Sequence, residues 1–365
     1  MFCSLFFLSL RFLLLLPFTF TSFSSASPSV NFPASDSRMD PLELETLFKI
    51  METVSSDQSW RTAHPIPCKP GSSWIGIECK SSGNDNLIHV SRLDLGVPPN
   101  PSCKSTATFP SQIFQLPHLE SVFFISCFTH ARTTISFPIK VSSSSLQQLS
   151  IRSNPALVGL IPFQLSSLKS LQILTLSQNL LSGTIPAQIF SLSSLLHLDL
   201  SYNMLTGRIS FQVGNLKKLV GLDLSYNKLT GTIPSIIGQL GMLQKLDLSS
   251  NKLTGRIPET IGNLHSLVFI ALSSNELKGL LPKGVSMLQN LQCFLMDDNP
   301  MFISLPSEFG ELQKLQELRL ANSGYSGKIP PTYSKLSNLS TLSLQNNRLK
   351  GEIPESFGSL SHIYH

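Results

Sequence analysis

The feature that constrains this chain most is a repeat. LDLSYNMLTGRIS, LDLSYNKLTGTIP and LDLSSNKLTGRIP begin at Leu198, Leu222 and Leu246, each 24 residues after the last. The wider pattern L-x-x-L-x-L-x-x-N-x-L-x-G-x-I-P starts at Leu171, Leu195, Leu219, Leu243, Leu267, Leu291, Leu315 and Leu339. Backwards it extends to Leu146, to Leu119 and, across an insertion, to Val90. A register held over so much of the chain predicts stacked coils rather than a globular core, because one copy cannot bury its own leucines.

Each fixed position has a physical reason. The x-L-x-L-x segment alternates with period two, so Leu222 and Leu224 lie on one face of a short strand. Asn227 ends the strand with an amide that both donates and accepts, which suits a turning backbone inside a narrow core. Gly231 permits positive φ and Pro234 fixes the chain as it leaves. Ile237 and Leu240 supply the apolar side of the outer leg, each large side chain contributing about 1.5–3 kcal/mol on burial. The expected fold is an α/β solenoid with a concave sheet of eleven strands, on the order of 50 Å long at strand spacing. Asp199, Asp223 and Asp247 fall on the outward strand positions and are expected to be solvated.

Three regions are expected: residues 1–27, 28–89 and 90–365. The first, MFCSLFFLSLRFLLLLPFTFTSFSSAS, is apolar with one Arg and ends in small residues, which reads as a cleaved signal peptide; a retained anchor is the rival, opposed by Pro17. No later apolar run is long enough to span a membrane. In the second, DPLELETLFKIMETV puts Leu44, Leu47, Phe48, Met51 and Val54 at helical spacing, with Asp40 as N-cap and Pro41 at the first turn. Cys68 and Cys79 flank Trp74 and are expected to pair, giving a disulfide-tied lid for the open end of the solenoid. Cys127 occupies an Asn position, where a buried thiol is ordinary; an oxidising compartment favours its pairing with Cys103. Cys293 is left as an exposed thiol on the concave side. The last copy begins at Ile363, so the chain reads as stopping within a repeat, before a terminal cap.

The Cys68…Trp74…Cys79 cap followed by LxxLxLxxNxLxGxIP repeats resembles the plant extracellular leucine-rich-repeat receptor-like proteins. The insertion NPSCKSTATFPSQIFQLPHLESVFFISCF is similar to the subgroup related to the Too Many Mouths and Piriformospora indica-insensitive proteins. That resemblance implies a right-handed superhelix that binds a peptide, a protein or another receptor through its concave and lateral surfaces. It also implies a partner receptor kinase and a place at the cell surface or in the apoplast, in signalling or defence. A soluble inhibitor similar to plant polygalacturonase-inhibiting proteins is the alternative function.

Composition excludes other classes. The 27 basic and 22 acidic residues are scattered without a Lys/Arg run, which argues against nucleic acid and allows only a weak attraction to acidic polysaccharide. The eight histidines lack metal-ligand spacing, no serine has a hydrolase context, and phosphate-binding loops are missing, so neither catalysis nor a cofactor is expected. A binding site should appear where outward positions depart from the bland Ser, Thr and Asp. Early exceptions are His197, Tyr202 and Tyr226. From Leu267 onward the departures cluster: Phe269, Cys293, Leu295, Asp297, Asp298, Glu317, Arg319 and Asn322, with Ile303 in a Gly place and Ser323 in an Asn place. These repeats are the expected ligand patch, with Phe269 and Leu295 as apolar anchors facing water; the alternative is drift at tolerant surface positions. Asn338-Leu339-Ser340 is a glycosylation sequon.

Overall fold

The computed structural model describes residues 38–57, 59–68, 75–81, 86–139 and 145–360. The expected signal peptide, Trp74 and the copy expected to begin at Ile363 lie outside the described residues.

Helix α1 (Pro41–Val54) starts as its sequence dictates: the Asp40 carboxylate accepts the Leu42 and Glu43 N–H groups at 2.8 and 3.1 Å, and Pro41 occupies the first turn. Leu47, Phe48, Met51 and Val54 are buried as the spacing requires, together with Ile50; Leu44 is only half-buried. The helix seals the first coil with a buried carboxylate. Glu43 accepts the Val90 N–H at 2.8 Å and meets His89 Nδ1 at 2.7 Å, both residues lying in strand β2 (Ile88–Leu95). Strand β1 (Ile77–Ser81) pairs antiparallel with β2 and is joined to the preceding loop by a Cys68–Cys79 disulfide. One edge of the solenoid sheet is thereby covered, so its unpaired backbone groups do not face solvent.

From β2 onward, eleven parallel strands stack to Thr341–Ser343 in a single sheet. Corresponding residues of successive copies are in register: Gly221, Leu222 and Asp223 sit beside Lys245, Leu246 and Asp247. The inward leucines are buried until the last described copy, where Leu342 and Leu344 are half-buried, and the outer leg of most coils is a short 3-10 helix such as Ser235–Gln239, with Ile237 buried. A second, six-stranded parallel sheet runs along the flank of the coils from Asn154–Leu160 to Glu276–Leu277.

The asparagine ladder joins coil to coil. Asn227 Oδ1 accepts the Leu205 N–H of the preceding copy at 3.0 Å, and its Nδ2 donates to Leu200 O at 3.0 Å and Leu224 O at 3.1 Å. Ser323 keeps part of this role, donating its Oγ proton to Ala321 O at 2.8 Å, with Met296 O at 3.3 Å. At Cys127 the ladder is interrupted by a disulfide to Cys103, and Asn154 Oδ1 serves both the Cys127 and Phe128 N–H groups at 2.7 and 2.9 Å.

Candidate functional site

The outward positions of the concave strands form ordered rows because parallel register brings equivalent residues side by side, about 4.8 Å apart. Asp199, Asp223 and Asp247 are neighbours in one such row. They are not the solvated carboxylates expected from the sequence. Asp223 is 6% exposed, and each of the three accepts a hydrogen bond at 2.6 Å from the serine two residues on, Ser201, Ser225 and Ser249. Three carboxylates one strand apart repel one another, and the chain offsets this with Lys245, whose Nζ lies 2.7 Å from Asp223 Oδ2. Burial, then the charge of Asp223, pushes the Asp247 carboxyl up to about 6 and Asp199 upward in the same direction. Burial alone would lower the Lys245 ammonium, but Asp223 and Asp247 outweigh it and hold it raised. His197 is pushed down by burial and by Lys245. Gly221, between these side chains, leaves space: a Cβ there would stand 2.8 Å from His197 Nδ1.

The later departures come together on the same sheet, but not as the sequence suggested. Phe269, Cys293 and Glu317 share a row with Lys245, the Lys245 ammonium standing 5.9 Å from the centre of the Phe269 ring. This row is buried: Phe269 is 7% exposed, Cys293 1% and Glu317 3%. Phe269 is therefore no water-facing anchor. Nor is Cys293 an exposed thiol, and no described cysteine is free. In the next row Leu295 stands half-buried between Ala271 and Arg319, and Arg319 is ion-paired with Glu317. Asp297 Oδ1 accepts the Ala321 N–H at 2.7 Å; burial raises its carboxyl despite that bond.

Asp298 and Asn322 lie at the rim rather than among these residues. They occupy the left-handed position at the end of each strand, with φ of 57° and 53°, as does Asn346 at 56°. Asn346 Nδ2 donates to Asn322 Oδ1 at 2.8 Å, continuing a polar row. Beside it a groove of about 580 Å³ opens, lined by Asp298, Asn322, Asn346, Phe302, Gly324 and Arg348 among others. The last four were not singled out in the sequence. Gly324 has φ of +70°, and a Cβ on it would come within 2.5 Å of the Phe302 ring, so the glycine lets that ring lie on the backbone. The Arg348 guanidinium covers Phe302 at 5.3 Å. The available signal was the local failure of the repeat, where Ile303 replaces Gly and Gly324 enters next to Ser323. The Tyr202 and Tyr226 rings stack at 4.1 Å on the same left-handed column. Among the described residues no group of His, Cys, Asp or Glu is arranged to hold a metal ion. These concave and rim side chains offer recognition chemistry: paired charges, amide edges and the exposed rings of Phe302, Tyr202 and Tyr226.

The leucine-rich-repeat family models match residues 144–205, 218–240, 242–264 and 338–360. Three Arabidopsis thaliana proteins are similar in sequence. Receptor like protein 29 is 70% identical over 125 residues, 34% of this chain and 27% of that protein. Protein TOO MANY MOUTHS is 36% identical over 34% of this chain and 25% of its own length. Piriformospora indica-insensitive protein 2 is 33% identical over 35% and 31%. The matched regions thus span only about a quarter to a third of these relatives. Among solved structures, the Arabidopsis receptor kinase HAESA ectodomain with an IDA peptide hormone superposes with a TM-score of 0.69 at 28% identity, covering 87% of this chain and 51% of that one. The peptide hormone receptor RGFR1 with RGF2 gives 0.65 at 31%, covering 75% and 41%. Repeat, cap, insertion and superposition agree: the chain is a leucine-rich-repeat solenoid that resembles the plant receptor-like proteins.

Proposed function

We propose that this chain is a non-catalytic recognition module of the plant cell surface that binds a peptide or protein ligand on its concave sheet and signals through a receptor kinase. The observation that carries the reading is the change along the concave rows. Bland serines and aspartates give way to Leu295, Asp297, Glu317 and Arg319 where the groove beside Asp298, Asn322 and Phe302 opens. The concave rows hold more carboxylates than cations, which suits a ligand segment bearing basic residues. The superposed HAESA and RGFR1 structures are complexes with peptide hormones, and HAESA has also been solved with the co-receptor SERK1. Leu295 is retained as an anchor, and Phe302 takes the place first given to Phe269.

The test is binding of the secreted chain to a panel of synthetic secreted-peptide sequences and to receptor-kinase ectodomains. Leu295→Ala with Phe302→Ala, and separately Arg319→Ala, should each weaken a bound ligand by tenfold or more without changing the circular dichroism. A ligand bound equally well by both variants places recognition elsewhere.

A further inference from the structure

The flank of the solenoid carries a charge pattern that the concave-face reading does not use. Its outward positions hold Arg208, Lys228, Lys252, Arg256, Lys278, Lys328, Arg348 and Lys350, against Glu276 and Glu352. That is eight cations against two carboxylates, a surplus of six on a chain whose whole net charge is +5. The basic residues look scattered in sequence because the repeat spaces them; the fold collects them on one face. All eight are exposed, and none is ion-paired with a described residue.

Their order is as informative as their number. In the six-stranded sheet, Arg208, Thr230 and Lys252 are direct partners across three adjacent strands. The next row is Thr184, Thr206 and Lys228. In the first of these rows cation and hydroxyl alternate, with Arg208 and Lys252 roughly 10 Å apart at backbone level, while the second runs hydroxyl, hydroxyl, cation. The parallel pairing makes the surface regular, and the threonine side chains are short enough for a flat ligand to reach both groups.

We propose that this flank binds a linear acidic polysaccharide, a chain of uronic acids, laid across the strands. A pyranose ring with its glycosidic link is close in length to one strand spacing. A twofold-screw uronate chain turns a carboxylate to the same side at every second ring, which matches cations at every second strand. The threonine hydroxyls then meet ring hydroxyls. Charge complementarity selects a polyanion, and the alternating hydroxyls favour sugar over the alternatives. An acidic peptide has no ring hydroxyls to meet them. An anionic bilayer, which the exposed Leu180 and Met204 beside this patch could also meet, is separated from a polysaccharide by the experiment. Arg348 also lines the rim groove beside Phe302, but the cations Arg208, Lys228 and Lys252 lie outside that groove and do not depend on it.

The experiment measures binding of the full secreted chain to polygalacturonate, with its fully methyl-esterified form as the uncharged probe. Binding to the acid form that weakens with salt is expected. Lys228→Glu, Lys252→Glu and Arg256→Glu together should weaken it tenfold or more. The same charge change at Lys217, Lys218 and Lys314, on other parts of the coils, should change it less than twofold. If the first triple variant misfolds by circular dichroism, the glutamine versions at the same three positions are used, with the same expectation. Equal losses from both triples, equal binding to the esterified polymer, or tighter binding to polyglutamate or to phosphatidylserine vesicles overturns the proposal. Binding of a concave-face ligand should be the same in all these variants.

Discussion

Replacing Asn227 by alanine tests whether the ladder holds the coils together. The amide makes one accepted and three donated hydrogen bonds, to Leu205 N, Leu200 O, Leu224 O and Ser225 O. The partners do not suffer equally when it is removed. Leu200 O keeps Asn203 Nδ2 at 3.1 Å, Leu224 O keeps Asn251 Nδ2 at 3.0 Å, and Ser225 O keeps the Tyr202 N–H at 3.0 Å. Only the buried Leu205 N–H is left without a partner, at a cost of about 1–3 kcal/mol. Weakened solvation of the other three groups and the void left by the amide bring the expected loss to about 2–4 kcal/mol. Because each coil contacts only its neighbours, the damage should be local. Denaturant titration of the variant should show the loss, and native-state hydrogen exchange should show Leu205 protection falling far more than that of Leu253. Asn227→Asp keeps the acceptor for Leu205 but turns a carboxylate towards three carbonyls. Its folded pKa should rise above the unfolded value, so the variant is stablest at low pH and loses stability as pH climbs past about 4. A loss below about 0.5 kcal/mol in the alanine variant, with Leu205 still protected, would refute the ladder argument.

Two further predictions concern charge and modification. Burial and the Asp223 charge push the Asp247 carboxyl up to about 6, above the roughly 3.9 of an unfolded Asp, so the folded chain holds an extra proton between those values and loses stability as pH rises through that window. Asp247→Asn should therefore be stabilised relative to the parent above pH 6 and flatten its dependence between pH 4 and 6; an unchanged profile in urea melts would show that the Asp row is not strained. Asn338 is exposed, its Nδ2 donating to Gln313 O at 2.7 Å, while Leu339 in the same sequon is fully buried. We propose that it is glycosylated before the coil closes; protein secreted from plant cells should lose mass on glycosidase treatment, and Asn338→Gln should abolish that change.

The sequence by itself determined the repeat unit, the direction of every inward leucine, the role of each ladder asparagine and the N-terminal helix. These depend on period, on backbone freedom and on hydrogen-bonding capacity, all written within a single copy. The sequence also marked Leu295, Asp297, Asp298, Glu317, Arg319 and Asn322 as departures from the pattern. It did not show which of them are exposed. Phe269 and Cys293 stand at outward strand positions and are nevertheless buried in the folded chain, which no property of either residue reveals. The same holds for the Asp199–Asp223–Asp247 row, where placing like charges one strand apart turns three ordinary surface aspartates into a coupled, lysine-neutralised set. It holds too for the flank, whose cations are scattered along the chain and adjacent only in space. Period decided what each coil is, and stacking decided what each side chain meets.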